Sequence, residues 1–155
     1  MMNLNEMLPK VMEQAAAANV DPIRNFLFRN PGEPLIATGS GGTETVGDFA
    51  ALLYGARGGV ATSVSPYTLN SFCDEALRTS KVLLISKGGH NNDIIFATDR
   101  AMKVNPQKTA AINFNGGELN VARKSFVKAG SDKCFVVPMR GVREGFVSSG
   151  TTVAY

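Results

Sequence analysis

The run Val82-Leu83-Leu84-Ile85 places four apolar side chains in succession, with no polar residue at alternate positions. A strand with one face in water alternates between apolar and polar residues. A strand that is apolar throughout is buried on both faces, as in the interior of a parallel sheet covered by helices on each side. The run opens directly into Ser86-Lys87-Gly88-Gly89-His90-Asn91-Asn92-Asp93. Beyond it Ile94, Ile95, Thr98, Ala101 and Met102 recur at helical spacing. The order is therefore buried strand, glycine loop, helix.

The same unit occurs upstream. Leu35-Ile36-Ala37-Thr38 is a short apolar run entering Gly39-Ser40-Gly41-Gly42-Thr43, and Val46, Phe49, Ala50 and Leu53 follow at i, i+3, i+4 and i+7. The β-branched stretch from Val60 to Ser65 predicts a further strand ending at Pro66, and one short helix is expected over Ser71 to Thr79. Pro106 stops the helix that begins near Ile94, and Thr109 to Phe114 reads as the next strand. A helix from about Glu118 to Lys128 and a strand from Cys134 to Pro138 complete the pattern. At the other end, Leu4 to Ala18 reads as a helix. Asp21-Pro22 reads as an N-cap followed by proline at the first helical position, starting a short helix to about Phe28. Strands alternating with helices imply right-handed βαβ crossovers. The expected class is α/β, a three-layer α/β/α sandwich with a mainly parallel, doubly wound sheet.

Length and charge narrow the functional classes. With 155 residues, 44% of them hydrophobic, the chain suffices for one core and falls short of two. Its +3 charge comes from 16 basic and 13 acidic residues without a basic run longer than a pair, so no nucleic-acid partner is expected. The first twenty residues contain acidic side chains and no continuous apolar stretch, which argues against a signal peptide or membrane span and for a soluble, cytoplasmic protein. Cys73 and Cys134 fit no metal-binding or CxxC spacing and are expected to be reduced, partly buried thiols. No metal and no cofactor are expected.

In open parallel sheets ligands gather at the carboxyl ends of the strands, where helix N-termini present unpaired N–H groups and partial positive charge. Gly39, Ser40, Gly41, Gly42 and Thr43 form one such loop, and Ser86, Lys87, Gly88, Gly89, His90 and Asn91 form the other. Dinucleotide binding is disfavoured: Glu44 stands where a GxGxxG loop needs its third glycine, and the strand ending at Ser65 supplies no acidic residue for a ribose. A Walker-type loop is disfavoured because Lys87 precedes its glycines. A smaller anionic ligand remains, together with the alternative that Ser86 to Asp93 is only a permissive turn in which Asn91 or Asn92 caps the next helix.

The segments PLIATGSGGTETVGDFAALLYG, VLLISKGGHNNDIIFATDRA, TAAINFN, DKCFVVPM and FVSSGTTVAY together resemble the SIS (sugar isomerase) domain family over roughly residues 34–155. Gly39, Gly41 and Thr43 match its first loop, G-x-G-x-S/T. Ser86, Gly89 and Asp93 match its second, S-x-S-G-x-T-x-D, with Gly88 in place of the second serine and Asn91 in place of the threonine. The resemblance implies a SIS/flavodoxin-like fold, preceded by an N-terminal helical segment over residues 1–33 that packs on it. It also implies that the two loops bind the phosphate and hydroxyls of a sugar phosphate or related small anion. In the family a long helix begins near FVSSGTTVAY, so the resemblance implies a domain cut short or taken from a longer chain, with a homodimer or higher oligomer covering apolar surface.

Two activities fit that resemblance. One is cofactor-independent aldose-ketose isomerisation, or an aminosugar-phosphate isomerase or deaminase reaction, with proton transfer between C1 and C2 of an opened sugar. The other is a non-catalytic phosphosugar sensor or dimerisation module, favoured by the two missing hydroxyls. His90 is the natural proton-transfer candidate, since an unperturbed histidine titrates near neutrality; the alternative is an ordinary solvated loop histidine. Glu44 is the candidate carboxylate base, with Glu118 behind it, although both also suit simple helix starts.

Overall fold

The computed structural model describes residues 4–114 and 121–137. Five strands form one sheet in the order β2-β1-β3-β4-β5: β1 Leu35–Gly39, β2 Ala61–Val64, β3 Lys81–Ser86, β4 Thr109–Asn113 and β5 Cys134–Val136. Every pairing is parallel, with Leu35 opposite Ala61 and Lys81, Val82 opposite Thr109, and Ala111 opposite Cys134. The central β3 is buried along its whole length, as its unbroken apolar run requires.

Alternation along the strands divides the core into two layers. Ile36, Val82, Leu84 and Ala111 face the helices α4 Pro66–Ser71, α5 Asp74–Thr79, α6 Asn92–Val104 and α7 Val121–Lys128, meeting Leu69, Leu77, Ala97, Ala101 and Phe126. Leu35, Leu83, Ile85, Ala110 and Ile112 face the opposite way, toward α3 Gly42–Ala56 and α2 Asp21–Phe28, meeting Val46, Tyr54, Ile23, Phe26 and Leu27. The expected three layers are thus present, and the sheet is parallel throughout the described residues. The N-terminal helix α1 spans Leu4–Ala16 and buries Val11 completely.

Several local expectations are corrected. Asp21 is not the N-cap of α2: Val20 holds that position, Asp21 lies in the first turn with Pro22, and its carboxylate pairs with Arg24 at 3.0 Å. Two helices replace the single one expected over Ser71 to Thr79. Ser65 caps α4 by accepting the Thr68 N–H at 3.1 Å, and Pro66 occupies the first turn, where its missing N–H costs nothing. The proline that marked the end of a strand also begins a helix. Cys73 precedes α5 and is exposed, not partly buried, whereas Cys134 is half-buried as expected. The expected helix start at Glu118, the strand end at Pro138 and the FVSSGTTVAY stretch lie outside the described residues.

Beneath the sheet, Lys81 ties the N-terminal segment to the core. Its side chain is only 4% exposed, and Nζ donates to the carbonyls of Leu27 at 2.7 Å and Asn30 at 2.8 Å, which lie in the last turn of α2 and just beyond it. A cation suits this end of a helix, whose last carbonyls lack intrahelical partners. Tyr54 is also buried; its hydroxyl donates to the Glu33 carbonyl at 2.6 Å, and its ring lies 5.6 Å from the Lys81 ammonium. The loop from Asn30 to Glu33 is therefore held from two elements.

Candidate functional site

The carboxyl ends of β1 and β3 lie side by side, with Gly39 opposite Ile85. Each strand leads through a glycine-bearing loop into a long helix, α3 of 15 residues or α6 of 13. The loops and helix N-termini enclose a cleft of about 510 Å³ lined by Ser40, Gly42, Thr43, Ser86, Lys87, Gly88, Gly89, His90, Asn91 and Ile94. This volume suits a small organic ligand.

The first loop depends on its glycines and on Thr43. A Cβ at Gly39 would collide with the Thr43 carbonyl, so glycine is what lets α3 start directly against the end of β1. Gly41, the N-cap, has φ of 61°, a conformation that favours glycine. The Thr43 hydroxyl accepts the Ser40 N–H at 2.9 Å and lies 3.0 Å from both the Ser40 and Ile85 carbonyls, either of which can receive its single proton. Thr43 therefore fastens its own loop and joins it to β3, leaving little hydrogen-bonding capacity for a ligand. A sequence motif cannot distinguish such a lock from a ligand donor, because both require a hydroxyl at the same position.

The second loop is fastened in a similar way. Ser86 Oγ accepts the Gly89 N–H at 2.9 Å, and Gly89 turns the chain with φ of 65°. Asn91 occupies the N-cap of α6 but makes no side-chain cap; its amide reaches across the cleft and donates to Ser40 Oγ at 3.0 Å. On the alternative reading Asn91 or Asn92 caps this helix; Asn91 holds the N-cap position, but its side chain forms a clasp between the loops instead. A Cβ at Gly88 would approach His90 Cδ2 to 3.0 Å, so Gly88 makes room for the imidazole.

The available donors follow from these bonds. Among the described residues, the N–H groups of Gly88, His90 and Asn91 have no partner. At the start of α3 the Thr43 and Glu44 N–H groups turn back to the Ser40 and Gly41 carbonyls, which leaves that of Gly42, while the first N–H groups of α6 have no partner within their helix. Ser40 Oγ accepts from Asn91 and keeps its own proton to donate, and Asn91 retains a second amide proton. These donors make the cleft suited to an anion bearing hydroxyl groups.

Most of the expected site residues line this cleft, with three exceptions: Gly39 and Gly41 shape its first loop from outside the lining, and Glu44 lies exposed in the first turn of α3. Glu118 is outside the described residues. Among the described lining residues no side chain is a carboxylate, and His90 and Lys87 are the titratable groups. Ile94, assigned by spacing to the helix core, also contributes to the cleft floor and is 1% exposed. Its position three residues after Asn91, in the first turn of α6, was the available signal for that second role. Among the described residues no cluster of three or more histidine, cysteine or acidic side chains could hold a metal, and no helix is long and apolar enough to cross a membrane.

No family model and no curated protein sequence matches the chain. Solved structures resemble it over nearly its full length. A Bacteroides fragilis protein assigned as a phosphosugar isomerase involved in capsule formation superposes with a TM-score of 0.71 at 18% identity, covering 97% of this chain and 81% of that one. Escherichia coli tagatose-6-phosphate ketose/aldose isomerase gives 0.64 at 22% identity, over 94% of this chain and 44% of its own. The Vibrio vulnificus NanR protein, solved with ManNAc-6P, gives 0.65 at 16% identity, over 97% and 53%. The chain thus spans most of the first relative and about half of the other two. The fold expected from the loop motifs, that of the sugar isomerase domain, is the fold the chain has.

Proposed function

We propose that this domain of the sugar isomerase fold binds a sugar phosphate in the cleft between the loops after β1 and β3. The observation that carries the reading is the convergence of two long-helix N-termini on one cleft with free N–H groups at Gly88, His90 and Asn91. Partial positive charge and unpaired donors favour a phosphate there, while Ser40 and Asn91 suit sugar hydroxyls. The likeness to a tagatose-6-phosphate ketose/aldose isomerase and to a protein solved with ManNAc-6P supports the same ligand class. Gly88 and Asn91 replace the hydroxyl donors of the family pattern by a bare N–H and an amide.

Binding without turnover is the reading we favour. Moving a proton between C1 and C2 of an opened sugar requires a positioned base, and the described lining contains no carboxylate. If this chain also catalyses isomerisation, His90 is the proton-carrier candidate among the described lining residues, since Glu44 lies outside them. A cytoplasmic location is consistent with the two free cysteines.

Self-association belongs to the same reading. On the outer side of α3, Phe49, Leu52 and Leu53 are 50%, 70% and 48% exposed at i, i+3 and i+4, an apolar stripe suited to a second copy.

The test is thermal unfolding with a panel of sugar phosphates, each compared with its unphosphorylated sugar. A concentration-dependent rise in Tm with a phosphorylated member, weakened by Asn91→Ala, is expected. No shift from any member at millimolar concentration refutes the ligand class. Turnover of a shifting sugar phosphate, lost in His90→Ala, replaces the binding-only reading by the isomerase.

A further inference from the structure

A second polar cavity lies at the opposite end of the sheet. It has a volume of about 390 Å³ and is walled by α2, the loop before β1, the start of β3, the turn before β4 and the segment entering β5. Six charged side chains line it: Arg29, Lys81, Lys108 and Lys133 against Glu33 and Asp132, a balance of +2. Glu33 shows where negative charge settles. One of its carboxylate oxygens lies 2.8 Å from Lys108 Nζ, and the other lies 4.0 Å from the buried Lys81 Nζ.

The remaining cations have donors to spare. Lys108 has one described bond from its ammonium, to Glu33, and Lys133 has one, to the Gln107 carbonyl at 2.9 Å. Each ammonium carries three protons. The Arg29 guanidinium has no hydrogen-bond or ion-pair partner among the described residues. Glu33 therefore neutralises part of the positive charge and leaves a fork of arginine and lysine donors around open space.

We infer that this lower cavity is a second anion site, which takes a small dianion of the phosphate-monoester type against Arg29, Lys108 and Lys133. A dianion matches the uncompensated charge. A guanidinium and two ammonium groups lining one cavity offer the paired and single donors that a phosphate accepts. Lys81 and Glu33 form the fixed floor, and Asp132 at the rim can accept a hydrogen bond from a hydroxyl on the organic part of the ligand. Five residue steps along β3, or roughly 17 Å, separate Lys81 from Ser86, so this site is distinct from the upper cleft.

Residue-resolved NMR titration of the full chain with inorganic phosphate, at ionic strength held constant with chloride, tests the assignment. Saturable shifts are expected at the amides of Asn30, Lys108 and Lys133. The Arg29→Ala/Lys133→Ala double variant, which removes two surface cations and leaves the Lys81 anchor intact, should weaken them by about tenfold or more. Lys108→Gln alone should give a smaller loss. Shifts at Ser86 to Asn91 report the upper cleft separately, so failure there leaves this assignment standing. Absence of saturable shifts around the lower cavity overturns it. So does an equal response to chloride, or an unchanged response in the double variant.

Discussion

The Asn91 side-chain amide donates to the Ser40 hydroxyl across 3.0 Å, although the two residues are 51 positions apart in the chain. This bond joins the loop after β1 to the loop after β3 at the mouth of the upper cleft. It also explains why Asn91 leaves the N-cap of α6 without a side-chain acceptor. Ser40 and Asn91 therefore form a latch across the mouth of the cleft, and each keeps a proton to donate into it.

Replacing Asn91 by alanine removes the latch and one donor. The bond is exposed, so the stability change should be small, about 0.5–1.5 kcal/mol at most. Affinity for a sugar phosphate should fall about tenfold through loss of a placed donor and of a fixed loop. Paired measurements of unfolding and ligand affinity check this. A large loss of stability with unchanged affinity contradicts the role given to the pair.

Thr43→Val should behave in the opposite way. It keeps shape but removes the hydroxyl that accepts from the Ser40 N–H and bonds across to β3. With Thr43 only 8% exposed, polar groups are left without a partner, at a cost of about 1–3 kcal/mol. Denaturant unfolding should show the loss even without ligand.

These two residues show how much of the site was legible in the sequence. The buried β3, the glycine loops and the helical spacing beyond them each have a local signature in backbone periodicity, so the layers and the position of the cleft could be read directly. The choice of partner for each hydroxyl and amide depends on which loops the fold brings together. Thr43 matches a ligand motif yet bonds to Ile85, and Asn91 suits a cap yet bonds to Ser40. Lys81 was illegible for a related reason: a lysine just before an apolar run reads as a solvated strand end, and only the placement of α2 beneath it makes it a buried anchor.

Lys81 should leave a signature in the pH dependence of stability. Burial pushes its pKa below the ordinary value of 10.5, outweighing the opposite pull of Glu33. Between the lowered folded value and 10.5 the unfolded chain binds more protons than the folded one, so unfolding free energy rises with pH across that window. Below the window both states are protonated, and the contribution is flat. The difference between wild type and Lys81→Met, measured by urea unfolding from neutral to alkaline pH, should therefore increase with pH. A decrease would mean that Glu33 and the Leu27 and Asn30 carbonyls hold the ammonium more strongly than burial opposes it.

The two cysteines should separate kinetically under alkylation. Cys73 is exposed before α5. Cys134 is half-buried in β5, and burial raises its pKa, with the Asn113 amide 3.2 Å from its sulfur offsetting part of the rise. Since the thiolate is the reacting species, a raised pKa and restricted access both slow Cys134. Iodoacetamide at neutral pH should label Cys73 at least about tenfold faster, as read by peptide mass spectrometry. A few molar urea should remove the difference, because Cys134 regains an ordinary pKa and full access once β5 leaves the sheet. Equal rates in buffer would show that the β5 edge opens faster than the reagent reacts, and would place β5 at the low-stability end of the sheet.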